Sequence, residues 1–166
     1  MKFFKKFSLE MLLPVLFAWF MMTILVDIIA IPAVFRNIGN IRDAGKVGMM
    51  VFGRFNIIEN IFAVIVFWGT FSFCESKKIK WPMTPAVYLF IMSWVYTFLM
   101  TPKITDLTHT MNRLEITDPN FEVLQLQHAQ YHNLYRMMDS IKLFVLLGFV
   151  VWFLIVKLKV KKEGEI

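Results

Sequence analysis

Chemistry-bearing side chains are densest between Gln127 and Lys142, where His128, His132, Tyr135, Asp139 and Lys142 recur at intervals of three and four residues. At about 100° per residue, this spacing gathers them within roughly 80° of one helix face. No Gly or Pro separates the stripe from the apolar segment Leu143–Val156, so it feeds straight into sequence that can cross a membrane. Two imidazoles one turn apart can hold a metal ion if acids from other helices complete the set. They can equally relay protons, or simply sit at a water boundary bonded to neighbouring helices. Asp139 is the acid at the membrane end of the stripe. An ionised side chain at the bilayer centre costs about 2.5–3.5 kcal/mol on insertion scales, so Asp139 needs a partner or an aqueous cavity. Its i, i+3 neighbours Lys142 and Arg136 are the nearest means of neutralising it.

Two further acids, Asp27 and Glu59, interrupt other apolar segments. Counted from the segment ends at about 1.5 Å per residue, both lie roughly 6–10 Å deep, with Asp139 nearer the surface. All three then belong to one leaflet, where they can meet. Gly53, Asn56, Glu59, Asn60 and Ala63 share a broad face of the second segment, and Arg54 points away to snorkel at the interface. The expected site is therefore lined by Asp27, Asn56, Glu59, His132 and Asp139, with His128 and Tyr135 at its mouth. Its metal ligands would come from Asp27, Glu59, His128, His132 and Asp139, and a bound organic cofactor would meet Asn56, Glu59 and Tyr135. Interhelical hydrogen bonds, or pairing with Arg36 or Lys142, would satisfy the same acids without any ligand. His109 stands alone and is expected to face solvent. The adjacent pairs Met21-Met22, Met49-Met50 and Met137-Met138 point to different faces of a helix, which suits packing better than Cu(I) capture.

The chain that must position these groups has 166 residues, 58% hydrophobic and 16% aromatic, far more apolar than a soluble domain of this length. Four stretches approach the roughly 20 residues that a bilayer core demands: about Leu9–Ile31, Arg54–Phe73, Thr84–Thr101 and Asp139–Val156. The first is longer than a secretory h-region and is expected to be retained as a span. Pro14 is expected to bend it and Pro32 to end it, Pro82 and Pro85 to open the third span, and Pro102 to close it. A short helix from Thr105 to about Leu114 should follow. The turn Asp118-Pro119-Asn120 then starts a long fourth helix running past Val156, its first third outside the bilayer. The prediction is an all-α, integral-membrane four-helix bundle, one domain over residues 1–166, whose fourth helix projects on the outer side.

Net charge is +6, but the basic residues flank apolar segments, which points to lipid and topology rather than nucleic acid. Lys2, Lys5 and Lys6, then Lys77, Lys78 and Lys80, then Lys157, Lys159, Lys161 and Lys162 fall on one side of a four-span arrangement. Arg36, Arg42, Lys46, Lys103 and Arg113 on the other side are diluted by acids. By the positive-inside rule both termini are cytoplasmic, in what is expected to be a bacterial inner membrane. Cys74 has no second cysteine in the chain to pair with.

Pro32-Ala33-Val34-Phe35-Arg36, followed by Ala44-Gly45-Lys46-Val47-Gly48 and by His128-Ala129-Gln130-Tyr131, resembles the transmembrane-protein-205-like family of unknown function, within the CopD-like group of small membrane bundles. That resemblance implies a four-helix membrane bundle and a bound metal or haem. Haem oxidases of the wider group carry a histidine early in the first span, and Leu9–Ile31 has none. Asn56-Ile57-Ile58-Glu59-Asn60 is similar to the Asn-x-x-Glu-Asn element of membrane-associated glutathione transferases, which implies glutathione contacts at Asn56 and Glu59. The basic cluster of that family is missing, and Arg54 stands at a different offset. The leading expectation is a multi-pass membrane protein without classical enzymatic machinery, whose outer-leaflet polar site binds or passes a proton or a metal ion. A glutathione-dependent transferase or peroxidase is the alternative in the enzyme class. A polar face serving a homo-oligomer or another membrane protein is the alternative in the interaction class.

Overall fold

The computed structural model describes residues 2–115 and 117–163, and side chains at 2–9, 41 and 160–163 fall outside that description, including Lys2, Lys5, Lys6, Lys161 and Lys162 of the terminal clusters. Helix α1 (Lys2–Ile24) passes through a π-helical turn (Leu25–Ala30) into α2 (Ile31–Asn37). Helix α3 (Ile41–Lys77) returns. Helix α4 (Met83–Val95) passes through a second π turn (Tyr96–Met100) into α5 (Thr101–Arg113), and α6 (Pro119–Glu163) completes the bundle. The described residues thus form four helical rods and no strand, and each rod is long and apolar enough to cross a membrane. At about 1.5 Å per residue, the 45 residues of α6 extend roughly twice the thickness of a hydrocarbon core, so it projects beyond the apolar layer.

The reversals have local causes. The Asn40 side chain accepts from the Arg42 N–H at 2.9 Å and caps the start of α3. At the other end of α3, Lys78 turns left-handed at φ 56° and its N–H closes on the Cys74 carbonyl. Asp118 Oδ1 accepts from the Asn120 N–H at 2.8 Å, and Pro119 takes the first position of α6, as the Asp-Pro-Asn order predicts.

Two expected breaks are absent. Neither Pro32 nor Pro102 ends a helix, and the separate helix expected from Thr105 is instead the continuation of the third rod. In each case the residue before the proline bonds five residues back, Ile31 N–H to the Val26 carbonyl and Thr101 N–H to the Tyr96 carbonyl. Proline lacks an N–H, and its ring collides with the carbonyl four residues earlier in α register. One wide turn just ahead of the ring relieves both faults and lets the rod go on. The two π turns put Asp27 and Tyr96 at corresponding places, each a little before its proline.

The half of the bundle nearer the chain termini is apolar. Leu12, Leu16 and Trp19 of α1 pack with Ala63, Val66 and Phe73 of α3, Ala86 and Leu89 of α4, and Leu146, Phe149 and Phe153 of α6. Phe73 meets Phe153 edge to face at 5.4 Å. The outward sides stay apolar as well, with Ile57, Ile61, Trp68, Phe144 and Leu154 exposed, as a helix in lipid requires. Helices α1 and α3 approach so closely that a Cβ on Gly69 would stand 3.0 Å from Leu12 Cδ1. Gly69→Leu should therefore lower stability by about 1–3 kcal/mol through overpacking. Gly148→Ala, whose Cβ meets nothing within 4 Å, should not lower the melting temperature in detergent.

Candidate functional site

Above the apolar half lies a polar layer to which every rod contributes one stripe. Trp19, Thr23 and Asp27 follow one another at intervals of four on the first rod, where the Thr23 hydroxyl donates to the Trp19 carbonyl at 3.0 Å. Asn56, Glu59 and Asn60 come from α3, and Ser93, Tyr96, Thr97 and Thr101 from the third rod. His132, Tyr135, Asp139 and Lys142 come from α6.

Lys142 is the centre of the layer. Its side chain is 0% exposed, and Nζ donates to Glu59 Oε1 at 2.7 Å and stands 2.5 Å from Asp139 Oδ1. The ammonium also faces the Tyr96 ring at 4.9 Å and the Phe55 ring at 5.7 Å. Glu59, equally buried, accepts a second hydrogen bond on Oε1 from Trp19 Nε1 at 2.8 Å, while Oε2 has no partner among the described residues. The Asp27 carboxyl stands beside that of Asp139, and its Oδ2 is likewise without a hydrogen-bond partner there. The bundle therefore gathers three carboxyl groups around one ammonium. A buried charge is tolerable only when paired and hydrogen-bonded, so the fit at Lys142 decides whether this layer can exist.

A second set of bonds ties the polar face of α3 to the third rod and α6. Asn56 Nδ2 donates to Thr101 Oγ1 at 2.7 Å, and the Tyr135 hydroxyl donates to Asn56 Oδ1 at 3.3 Å. Asn60 Nδ2 donates to Thr97 Oγ1 at 2.8 Å. The polar face of α3 is thus bonded inside the bundle to the third rod and α6, with Asn60 Oδ1 and Glu59 Oε2 left without a partner among the described residues.

A cavity of about 510 Å³ opens on this layer between the end of the first rod and α6. Asp27, Asp139 and Ser140 supply polar lining, Ile28, Ile31, Phe35 and Leu143 apolar walls, and His132, Tyr135 and Arg136 the remaining α6 positions. Helix α1 packs on α6, yet among the described residues no Cα of the first π turn or of α2 comes within 8 Å of α6. The two rods part where the π turn begins, and the cavity fills the gap.

Of the expected site residues, Asp27, Glu59 and Asp139 do converge. Asn56 does not join them but bonds to Thr101 and Tyr135. Tyr135, expected at the mouth, lines the cavity as a buried residue, 7% exposed, with its ring 4.9 Å from that of Tyr96. His132 lines the cavity; His128, 6.0 Å from it ring to ring, is not among the lining residues. The histidine pair therefore does not close on the acids, and among the described residues no three His, Cys, Asp or Glu side chains are grouped to hold a metal ion. In the place between Glu59 and Asp139 stands the Lys142 ammonium. His109, Arg54 and Arg36 are exposed.

Sequence reasoning offered Lys142 as a neighbour neutralising Asp139 and as an alternative partner for Asp27 and Glu59, of which the Glu59 pair is present, and it passed over Trp19, Tyr96, Thr97 and Thr101. A signal for Trp19 was present, since it shares the four-residue spacing of Thr23 and Asp27 and carries an N–H that must be satisfied once buried. Compared with protein-family models, with characterised proteins and with solved structures, the chain matches none.

Removing the ammonium alone strands two buried carboxylates. Lys142→Met should cost about 3–5 kcal/mol and lower the melting temperature sharply in detergent. Adding Glu59→Gln and Asp139→Asn to it should restore much of that loss, because neutral amides can remain where the charges cannot. A triple variant no more stable than Lys142→Met would contradict the pairing.

Proposed function

We propose that this multi-pass membrane protein takes up and releases a proton within the bilayer, at the carboxyl pair Asp27 and Asp139, with the cavity between the first rod and α6 as its polar access. The observation that carries this reading is the imbalance of one buried ammonium against three carboxyl groups. Lys142 neutralises one of them. With all three ionised, two carboxylates would lack a buried partner, and the exposed Arg136 at the cavity can offset only one of them, so the layer needs a proton or another small cation. Asp27 and Asp139 line the cavity and can exchange it, whereas Glu59 is sealed behind Lys142 and Trp19. Two carboxyl groups side by side are suited to share one proton between them.

A metal ion in the same position has less support. Its expected ligands are split between the acid layer and a histidine pair about two and three turns away along α6, and the position between Glu59 and Asp139 belongs to an ammonium. Glutathione binding draws no support from Asn56 and Glu59, whose side chains are buried and committed to Thr101, Tyr135, Trp19 and Lys142. Lys77, Lys78 and Lys80 share an end of the bundle with Lys157 and Lys159, which favours a cytoplasmic position for that end and for both termini.

Infrared difference spectra recorded across a pH titration test the proposal. The protein should show a carboxyl C=O band that shifts in D₂O and disappears in Asp27→Asn. In proteoliposomes, a pH-sensitive dye should report a proton flux that the same substitution abolishes. A carboxyl band unaltered by both Asp27→Asn and Asp139→Asn would overturn it.

A further inference from the structure

The cavity is larger than a proton requires, and its shape and lining point to a second occupant. We infer that it receives the head of a membrane-dissolved, singly charged lipophilic amine, whose ammonium replaces the proton at Asp27 and Asp139. This rests on the proton reading for its exchange step, while occupancy by an amine can be measured separately.

The route comes first. Because the π turn and α2 stand clear of α6, the cavity opens sideways, between helix flanks whose neighbouring residues Met21, Leu25, Leu147 and Val151 are exposed and apolar. A compound already dissolved in the bilayer reaches this opening without crossing a polar surface. The volume of about 510 Å³ lies within the usual range for small-molecule pockets, roughly 300–1,000 Å³. The walls ask for an apolar body, and the carboxyl pair at the polar end asks for a cation. Asp27 lines the cavity and is only partly buried, and a carboxylate presented there is best met by N–H donors, which an amine supplies and a quaternary ammonium does not.

Charge sets an upper limit on the ligand. Arg136 lines the cavity and Lys142 lies immediately behind Asp139, so a second or third positive charge on the ligand would meet two cations. A monovalent amine fits and a polyamine does not. Exchange is balanced: the incoming ammonium brings one positive charge, the carboxyl pair releases one proton to water, and the charge of the layer is unchanged.

The test compares dodecylamine, dodecanol and spermidine on the full chain in phosphatidylcholine nanodiscs, read as thermal stability. Dodecylamine should stabilise the wild-type protein. Dodecanol has the same tail without the charge, spermidine has more charge without the tail, and neither should stabilise it. Asp27→Asn should weaken the dodecylamine effect on the order of tenfold in the concentration required, the loss of one charge-assisted contact. Asp27→Glu should retain it in part. Raising the proton concentration should weaken it competitively in the wild type. Equal stabilisation by dodecylamine and dodecanol, or by dodecylamine and spermidine, overturns the inference with no substituted protein needed. If the amine has no effect while the infrared carboxyl band is present, the amine assignment fails and the proton site stands. If the band is absent while the amine effect depends on Asp27, the amine site stands and the proton reading fails.

Discussion

The structure depends on one buried ammonium. Lys142 is held in the bundle by Glu59 of α3 and Asp139 of its own helix, with the rings of Tyr96 and Phe55 over the remaining directions. None of these groups is affordable in a bilayer alone, since each unpaired charge in a low dielectric costs several kcal/mol. Together they oblige α3, α6 and the third rod to meet at one level. Trp19 extends the obligation to the first rod through its bond to Glu59. Apolar packing in the other half of the bundle has no such selectivity, because lipid tails are as apolar as the side chains they would replace.

The two prolines act on the same layer from outside. Pro32 and Pro102 would each break an α-helix, and each is accommodated by a π turn immediately before it. The first turn carries Asp27 and marks the level at which the first rod parts from α6. The second carries Tyr96, which covers the Lys142 ammonium. The wide turns thus fall at the polar layer itself, in keeping with the tendency of π turns to accompany functional positions. An acid beside a cavity and an aromatic ring over a cation are both placed by the local need to pass a proline.

The polar layer is asymmetric. Glu59, Asn56, Asn60 and their partners form a closed hydrogen-bonded interior between α3, the third rod and α6. Asp27 and Asp139 face the seam where the first rod and α6 diverge. The first group accounts for uniqueness of packing, and the second is where exchange with the surroundings can occur. A bundle built only for stability would have little use for a third carboxyl group beside an ion pair that one carboxylate could complete.

The amino-acid sequence by itself determined that the chain is a membrane bundle of four helices, because the length and hydropathy of the segments leave few other ways to satisfy a backbone in lipid. It also determined that Asp27, Glu59 and Asp139 lie at similar depth, since rise per residue converts position into distance. The long α6 and its Asp-Pro-Asn start were legible for the same local reasons. What only the tertiary structure decided was direction and partnership. Spacing put His128, Tyr135 and Lys142 on one stripe, but a stripe on a helix of 45 residues faces different surroundings along its length. At Lys142 it is enclosed by three other rods, and near His128 it has passed beyond the acid layer. Nor could proline chemistry alone reveal that the helices continue, because a proline can either end a helix or be passed by a wide turn. The imidazole pair that drew attention by its spacing therefore yields to a lysine whose importance depends on residues 83 and 3 positions away.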